Sequence, residues 1–319
     1  MEERAKAEEL GRAKALSACL RGRGSKGGDP MLSVIIPIYN RKDHLYLTLT
    51  ALDCQGYRDF EVIVADDGST DEPDIVVSYF STLNIKYITH THDGFGANRC
   101  RNEGAAVADP ASNGFVFLDS GILLNCHALQ HYVNLHRPNG EILLAGRYDW
   151  LPPMVITPAD IIGNWQAIVE GRLPHSRSWN RMELEGITGV DPRELSHPGI
   201  FNWREMGVID NFCLELYGGN LLVPRVLFER LGGYDEAMNR HGGEDCEFAI
   251  RAQKAGCQAV FAAEPIGYHM YHERDQKANE LSVVANIAYI REKYDLEALG
   301  IVDGEDEQLP LIRGGQSGS

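Results

Sequence analysis

Apolar positions first become continuous at residues 31–38, MLSVIIPI, a run rich in β-branched side chains that reads as a buried parallel strand. The period then changes. A helical repeat covers residues 43–52, and the second apolar run, inside DFEVIVADDGSTD (59–71), predicts a strand that ends abruptly in carboxylates and a turn. A short helix is expected next, then a strand over residues 85–89, a helix over 99–108 and a strand over 114–118, GFVFL, that runs into Asp119. Strands and helices alternating with short connections predict a doubly wound α/β sheet. In such sheets the ligand crevice lies outside the carboxyl ends of the strands. Three of these ends carry polar or turn residues: Tyr39 and Asn40, Asp66 and Asp67, Asp119 and Ser120. Any one of them reads as a strand-ending turn; the three together point to a crevice.

Residues 141–211 break the pattern with several prolines and polar stretches, and predict an irregular loop-and-helix region over the sheet. Segments of that kind in compact enzymes are often lids or binding loops. Order resumes with YGGNLLVPRVLFERLGGYDE, then GGEDCEFAIRAQKAG with helical periodicity over 247–255, then GYHMYH. At the two ends the pattern fades. The first 30 residues read as a surface helix or tail followed by a glycine-rich linker, and residues 301–319 as a disordered acidic and Gly/Ser-rich tail.

Composition narrows the function. The formal charge is −16, from 46 acidic against 30 basic side chains, which excludes a non-specific nucleic-acid binder but not a local basic pocket for a diphosphate. No stretch approaches the roughly 18 apolar residues of a membrane span, so no integral membrane segment is expected. The seven cysteines are odd in number and lack zinc or redox spacing, which fits reduced thiols in a cytoplasmic protein. No dinucleotide fingerprint follows the first strand, and PIYNRKD is not the glycine-rich basic loop of a nucleotidyltransferase.

In order along the chain, SVIIPIYNR, QGYRDFEVIVADDGSTD, CRNEG and FVFLDSG resemble the inverting glycosyltransferases of family 2, which have the GT-A fold. YGGNLLVPR and LGGYDE…GGEDCEFAIR resemble the carboxyl-terminal half of galactosyltransferase-like members. The resemblance implies a Rossmann-like, mostly parallel twisted sheet flanked by helices. It places a nucleotide-sugar donor-binding half over residues 31–120 and an acceptor-binding, catalytic half over 121–300. Pro37, Ile38 and Tyr39 would wrap the nucleotide of a UDP-sugar, with Asp67 on the uracil ring and Asp66 holding the turn. Arg101, with Arg99 as a weaker neighbour, would steady the diphosphate.

Members of the family carry Asp-x-Asp where this chain reads Asp119-Ser120-Gly121, so one cation ligand is missing. Asp119 with His269 or His272 would hold Mn²⁺ or Mg²⁺, the two histidines lying three apart so that either can face the site, or both on a helical turn. A site that is weak, needs no metal or has lost activity is the other reading. Asp245 is expected as the base that activates the acceptor, with Glu244 orienting it, and Asn220 as a partner of a sugar hydroxyl beside the Gly218–Gly219 turn. Each also has a plainer reading, as a helix-start acid or a turn residue. The expected reaction is transfer of a hexosyl or N-acetylhexosaminyl group from a UDP-sugar to a glycan, natural-product or peptide acceptor. The alternative is a weak or inactive sugar-nucleotide-binding module.

Overall fold

The structure is a computed structural model and describes residues 30–169, 173, 207–209, 212, 216–272 and 276–295. Its first half follows the alternation of the sequence. Strands β1 (Met31–Ile38), β2 (Phe60–Asp66), β3 (Ile85–Thr89) and β4 (Ser112–Leu118) pair in parallel in the order β3-β2-β1-β4. Helices α1 (Lys42–Asp53), α2 (Pro73–Ser78) and α3 (Ala97–Val107) make the crossovers. Buried apolar runs are needed in β1, β2 and β4 because both faces of these strands are covered. Leu32, Val34 and Ile36 face a core built with Leu45, Leu49 and Leu52 of α1, while Ile35 faces the opposite core. On that opposite face Gly104 lets α3 lie close, since a Cβ there would stand 2.6 Å from Ile35 Cγ2.

The second half extends the same sheet in mixed sense. Strand β5 (Ile122–Leu124) is followed by α4 (Ala128–Leu135), β6 (Ile142–Trp150), α5 (Pro158–Gly163), α6 (Trp165–Val169) and β7 (Gly207–Ile209). Then come β8 (Asn220–Pro224), α7 (Arg225–Leu231), α8 (Glu244–Lys254), β9 (Gln258–His269) and α9 (Gln276–Lys293). β8 pairs antiparallel with both β4 and β6, β6 runs parallel to β9, and β9 takes β5 and β7 antiparallel. Helix α8 buries Phe248, Ala249, Ile250 and Ala252 in the core below β4 and β8. The described residues therefore form one nine-stranded sheet.

Two expectations need correction. The irregular region expected from residue 141 contains the nine-residue strand β6, and helices α5 and α6 after it; α5 begins in a capping box between Thr157 and Asp160. Trp165 packs edge-on to Tyr268, with ring centroids 5.5 Å apart, whereas Trp179 and Trp203 lie outside the described residues, as do the expected N-terminal helix and C-terminal tail. GYHMYH is not a helical turn either. His269 ends β9, because that segment is held as a strand by β5 on one side and β6 on the other. Among the described residues, no helix is long and apolar enough to cross a membrane.

Candidate active site

Strands β1, β2 and β4 end together, and the loops after β1 and β2 are tied to one another. Asn40, with φ +50°, accepts from the Thr70 backbone N–H at 2.7 Å, and its own N–H donates to Ser69 Oγ at 2.8 Å. Asp66 holds the second loop as expected, accepting from the Ser69 N–H and, through its other oxygen, from the Tyr87 hydroxyl. Above these ends opens a cleft of about 540 Å³. Pro37, Ile38, Tyr39, Asp67, Arg101, Asp119, Glu244, His269 and His272 all line it. Asp245, one residue along, and Asn220 do not.

One end of the cleft is aromatic and fully partnered. Tyr39 stacks on His92 with ring centroids 4.0 Å apart and planes within 8°. Asp67 Oδ1 meets His90 Nε2 at 2.9 Å, and Oδ2 takes His92 Nδ1 and the Gly96 N–H, each at 3.0 Å. Gly96 must be glycine: a Cβ there would lie 2.2 Å from Asp67 Oδ1.

The other end gathers charge around a single buried guanidinium. Arg101, only 3% exposed, donates from Nη2 to Asp119 Oδ1 at 3.0 Å and lies 4.0 Å from both Glu244 Oε1 and Asp245 Oδ1. It also stacks over the Tyr234 ring at 4.9 Å. Three carboxylates thus face one cation. Burial, opposed by Arg101 and reinforced by Glu244, pushes the Asp245 carboxyl up to about 7; burial likewise raises Glu244. Arg101 Nε, Ser120 Oγ, Tyr234 Oη, Glu244 Oε2 and Asp245 Oδ1 are buried here without a hydrogen-bond partner among the described residues. Orphaned polar atoms are costly and uncommon in folded proteins, and their convergence on one spot marks a place built for a ligand.

Here too the sequence expectations divide. Arg101 was expected on a diphosphate, yet its fork is turned onto carboxylates; Arg99 pairs with Glu103 at 2.7 Å and does not line the cleft. Arg41, just beyond the first strand end, is the other cation of the cleft lining, and its position after PIYN was the available signal. Asn220 is corrected more sharply. Its Oδ1 accepts from the Tyr132 hydroxyl at 2.8 Å and its Nδ2 donates to the Arg147 carbonyl at 3.0 Å, so it ties β8 to α4 and β6. The glycines before it do make close approaches, but to carboxylates: a Cβ at Gly218 would lie 2.2 Å from Asp245 Oδ1, and one at Gly219 2.9 Å from Asp119 Oδ2. His90 and His92, two apart just past β3, were missed, as were Phe95 and His241, whose rings meet edge-on at 5.5 Å in the cleft lining.

Asp119 remains 40% exposed and presents Oδ2 beside Gly219. His269 Nδ1 donates to the Met270 carbonyl at 2.9 Å, which in the neutral ring puts the lone pair on Nε2. This donor set fits a cation that completes its shell with ligand oxygens. By themselves the described residues assemble no group of three His, Cys, Asp or Glu able to hold one. Gly121 explains the missing acid: its φ is +109° and a Cβ would press on His44 at 3.2 Å, a conformation that disfavours any side chain there.

Two family models match parts of this chain. Residues 33–150 match the glycosyl transferase family 2 model, and residues 209–273 match the model described as the N-terminal domain of galactosyltransferase. Validoxylamine A glucosyltransferase of Streptomyces hygroscopicus subsp. jinggangensis is 31% identical over 82% of this chain and 61% of its own length. Chondroitin synthase of Escherichia coli is 31% identical over 78% of this chain and 36% of its own. The chain therefore spans less than two thirds of these curated relatives. A crystal structure of GalNAc-T7 with UDP, GalNAc and Mn²⁺ superposes with a TM-score of 0.55 at 15% identity, covering 86% of this chain and 54% of that one, which shows a shared fold.

Proposed function

We propose that this chain, which belongs to glycosyl transferase family 2 and carries a galactosyltransferase-like C-terminal part, transfers a hexosyl or N-acetylhexosaminyl group from a UDP-sugar to a glycan, natural-product or peptide acceptor with inversion. The observation that carries this reading is one cleft joining an aromatic, carboxylate-lined nucleoside end to Asp119 and Glu244, with Asp245, whose proton affinity burial raises, next to them around Arg101. Tyr39 offers its ring to the base, Asp67 accepts from the base imide N–H, and Arg41 meets the diphosphate. Arg101 serves from below, holding Asp119, Glu244 and Asp245 in one place.

In the transfer, Asp245 takes the proton of the acceptor hydroxyl as its oxygen attacks the anomeric carbon. The bond from that carbon to the diphosphate oxygen breaks on the opposite face, and UDP departs. Glu244, which lines the cleft, orients the acceptor. Proton transfer of this kind works best when the base titrates near the working pH, which is where burial places Asp245. Asp119 and His269, with His272 beside it at 5.4 Å between ring centroids, would hold Mn²⁺ or Mg²⁺. When bound, the cation would offset the charge gathering on the departing diphosphate. We place the reaction in the cytoplasm, since the described cysteines Cys54, Cys100, Cys126, Cys246 and Cys257 are thiols rather than disulfides.

The test is release of UDP from a panel of UDP-sugars, with and without candidate acceptors, in Mn²⁺, Mg²⁺ or EDTA. Cation-dependent release from one donor, weakened by Asp119→Ala, is the expected result. The single acid of Asp119-Ser120-Gly121 favours one rival, a sugar-nucleotide-binding module without turnover. UDP binding with no release from any donor and acceptor pair would favour that rival.

A further inference from the structure

The carboxylate at the nucleoside end is backed by a second layer of charge. His90 follows β3 and lies between two carboxylates, with Nε2 at 2.9 Å from Asp67 Oδ1 and Nδ1 at 2.8 Å from Glu103 Oε2. Glu103 lies on α3, and its other oxygen takes Arg99 Nε at 2.7 Å. Hydrogen bonds from Arg99 and His90 outweigh desolvation and hold the Glu103 carboxyl below the usual range. A carboxylate only accepts, and a neutral imidazole has one N–H. The ring therefore satisfies both neighbours only when both nitrogens carry protons. With a single proton, Asp67 and Glu103 compete for it, and one contact becomes lone pair against lone pair.

We propose that His90 and Glu103 are positioning residues for the nucleobase contact, the doubly hydrogen-bonded His90 ring fixing Asp67 in the cleft so that uridine-nucleotide affinity depends on its second proton. The proposal rests on reading the cleft as a uridine-nucleotide site. The other groups facing His90 leave this account intact. His92 and the Gly96 N–H occupy Asp67 Oδ2, away from the His90 contact. Asp66 receives the His90 backbone N–H through its carbonyl, while its carboxylate is taken by Ser69, Tyr87 and Thr89. Cys100, buried on α3, is kept as a neutral thiol by desolvation.

Glu103→Gln separates this role from a structural one. The amide accepts from Arg99 with its oxygen and donates its N–H to a neutral His90 Nδ1, leaving Nε2–H for Asp67 at every pH. UDP affinity is measured by calorimetry from pH 6 to 8.5 at constant Mg²⁺, for the wild type and E103Q side by side, so that titration of UDP itself cancels in the ratio. Equal affinities at pH 6 and a wild type roughly tenfold weaker than E103Q at pH 8.5 are expected, the scale of one hydrogen bond to a charged group. His90→Ala, with its fold checked by circular dichroism, should bind roughly tenfold more weakly than E103Q at both ends, and so match the wild type at pH 8.5. Superimposed wild-type and E103Q curves, or an E103Q protein weaker throughout, would overturn the proposal while leaving the nucleotide reading standing. No UDP binding by the wild type at any pH would overturn both.

Discussion

The two ends of the cleft solve opposite problems. At the nucleoside end every oxygen of Asp67 is engaged, by His90, His92 and the Gly96 N–H, and Tyr39 is already stacked. At the carboxylate end one guanidinium faces three acids, and five polar atoms are buried without a hydrogen bond among the described residues. The first end is organised before any ligand arrives, which reduces the ordering cost of binding. The second end is left electrostatically incomplete, a state that raises proton affinity and that a cationic or hydrogen-bonding ligand relieves. Binding and chemistry are thus served by different degrees of preorganisation within one cleft, and substitutions at the two ends should separate them.

The largest separation is expected from Asp245→Asn. Loss of a positioned base should reduce transfer on the order of 10²- to 10⁴-fold while UDP affinity stays within about twofold. Steady-state kinetics paired with calorimetry reads both quantities. A loss of turnover confined to Glu244→Gln, with Asp245→Asn active, would exchange the two roles. Arg101→Met comes next and should damage the fold itself. It leaves Asp119, Glu244 and Asp245 without their shared cation, and breaking a buried pair from one side costs about 3 kcal/mol or more. Urea unfolding measures this. An unfolding midpoint unchanged by the substitution would show that the guanidinium is not what holds the acids together.

Two glycines give a matched pair of smaller effects. A methyl group at Gly96 would stand 2.2 Å from Asp67 Oδ1, and one at Gly218 2.2 Å from Asp245 Oδ1. Neither carboxylate can remain in place. Gly96→Ala should weaken UDP binding roughly tenfold, the worth of one charge-assisted hydrogen bond, with turnover at saturation largely kept. Gly218→Ala should do the reverse, lowering turnover with affinity kept. If both alanines lowered the same parameter, the two ends would be one coupled unit and the division drawn here would fail.

How much of this could be read from the chain depends on what each segment is buried against. β1 falls on its expected bounds because a parallel strand covered on both faces leaves a continuous apolar run; β3, IKYIT, does so too, although it is a half-buried strand at the sheet edge. β6, ILLAGRYDW, and β9, QAVFAAEPIGYH, were lost to the eye because Gly, Arg, Asp, Pro and Glu interrupt them. Their strand form is imposed by neighbours, with a register shift between Gly146 and Tyr148 absorbing the irregularity. The same distinction runs through the site. That Asp67 and Asp119 line one cleft was legible because three strand ends carry polar or turn residues together, although any one of them alone reads as a turn. Asn220 was misread because its side chain is decided by Tyr132, 88 residues away, and no local pattern carries that information. The three-residue spacing of His269 and His272 suggested a helical turn, while pairing with β5 and β6 made the segment an extended one.

The smallest expected effect is a shift in a pH profile, and it bears most directly on the incomplete end. Burial first, then the neighbouring Glu244, raises the Asp245 carboxyl from 3.8 to about 7, with Arg101 opposing. A base must be ionised to act, so kcat/KM should rise with pH through about 7 and then level off. For stability the sign is opposite. Between pH 4 and 7 the folded protein keeps a proton that the unfolded chain has released, so the unfolded state binds fewer protons and stability falls as pH rises. Glu244→Gln removes a like charge, so the acidic limb of kcat/KM should move down by up to about one unit, severalfold in rate at pH 6. The stability loss over the same interval should shrink with it. A limb that stayed near 7 in Glu244→Gln would assign the raised proton affinity to burial alone. The two acids would then act independently, and the excess of carboxylates at this end would have no part in tuning the base.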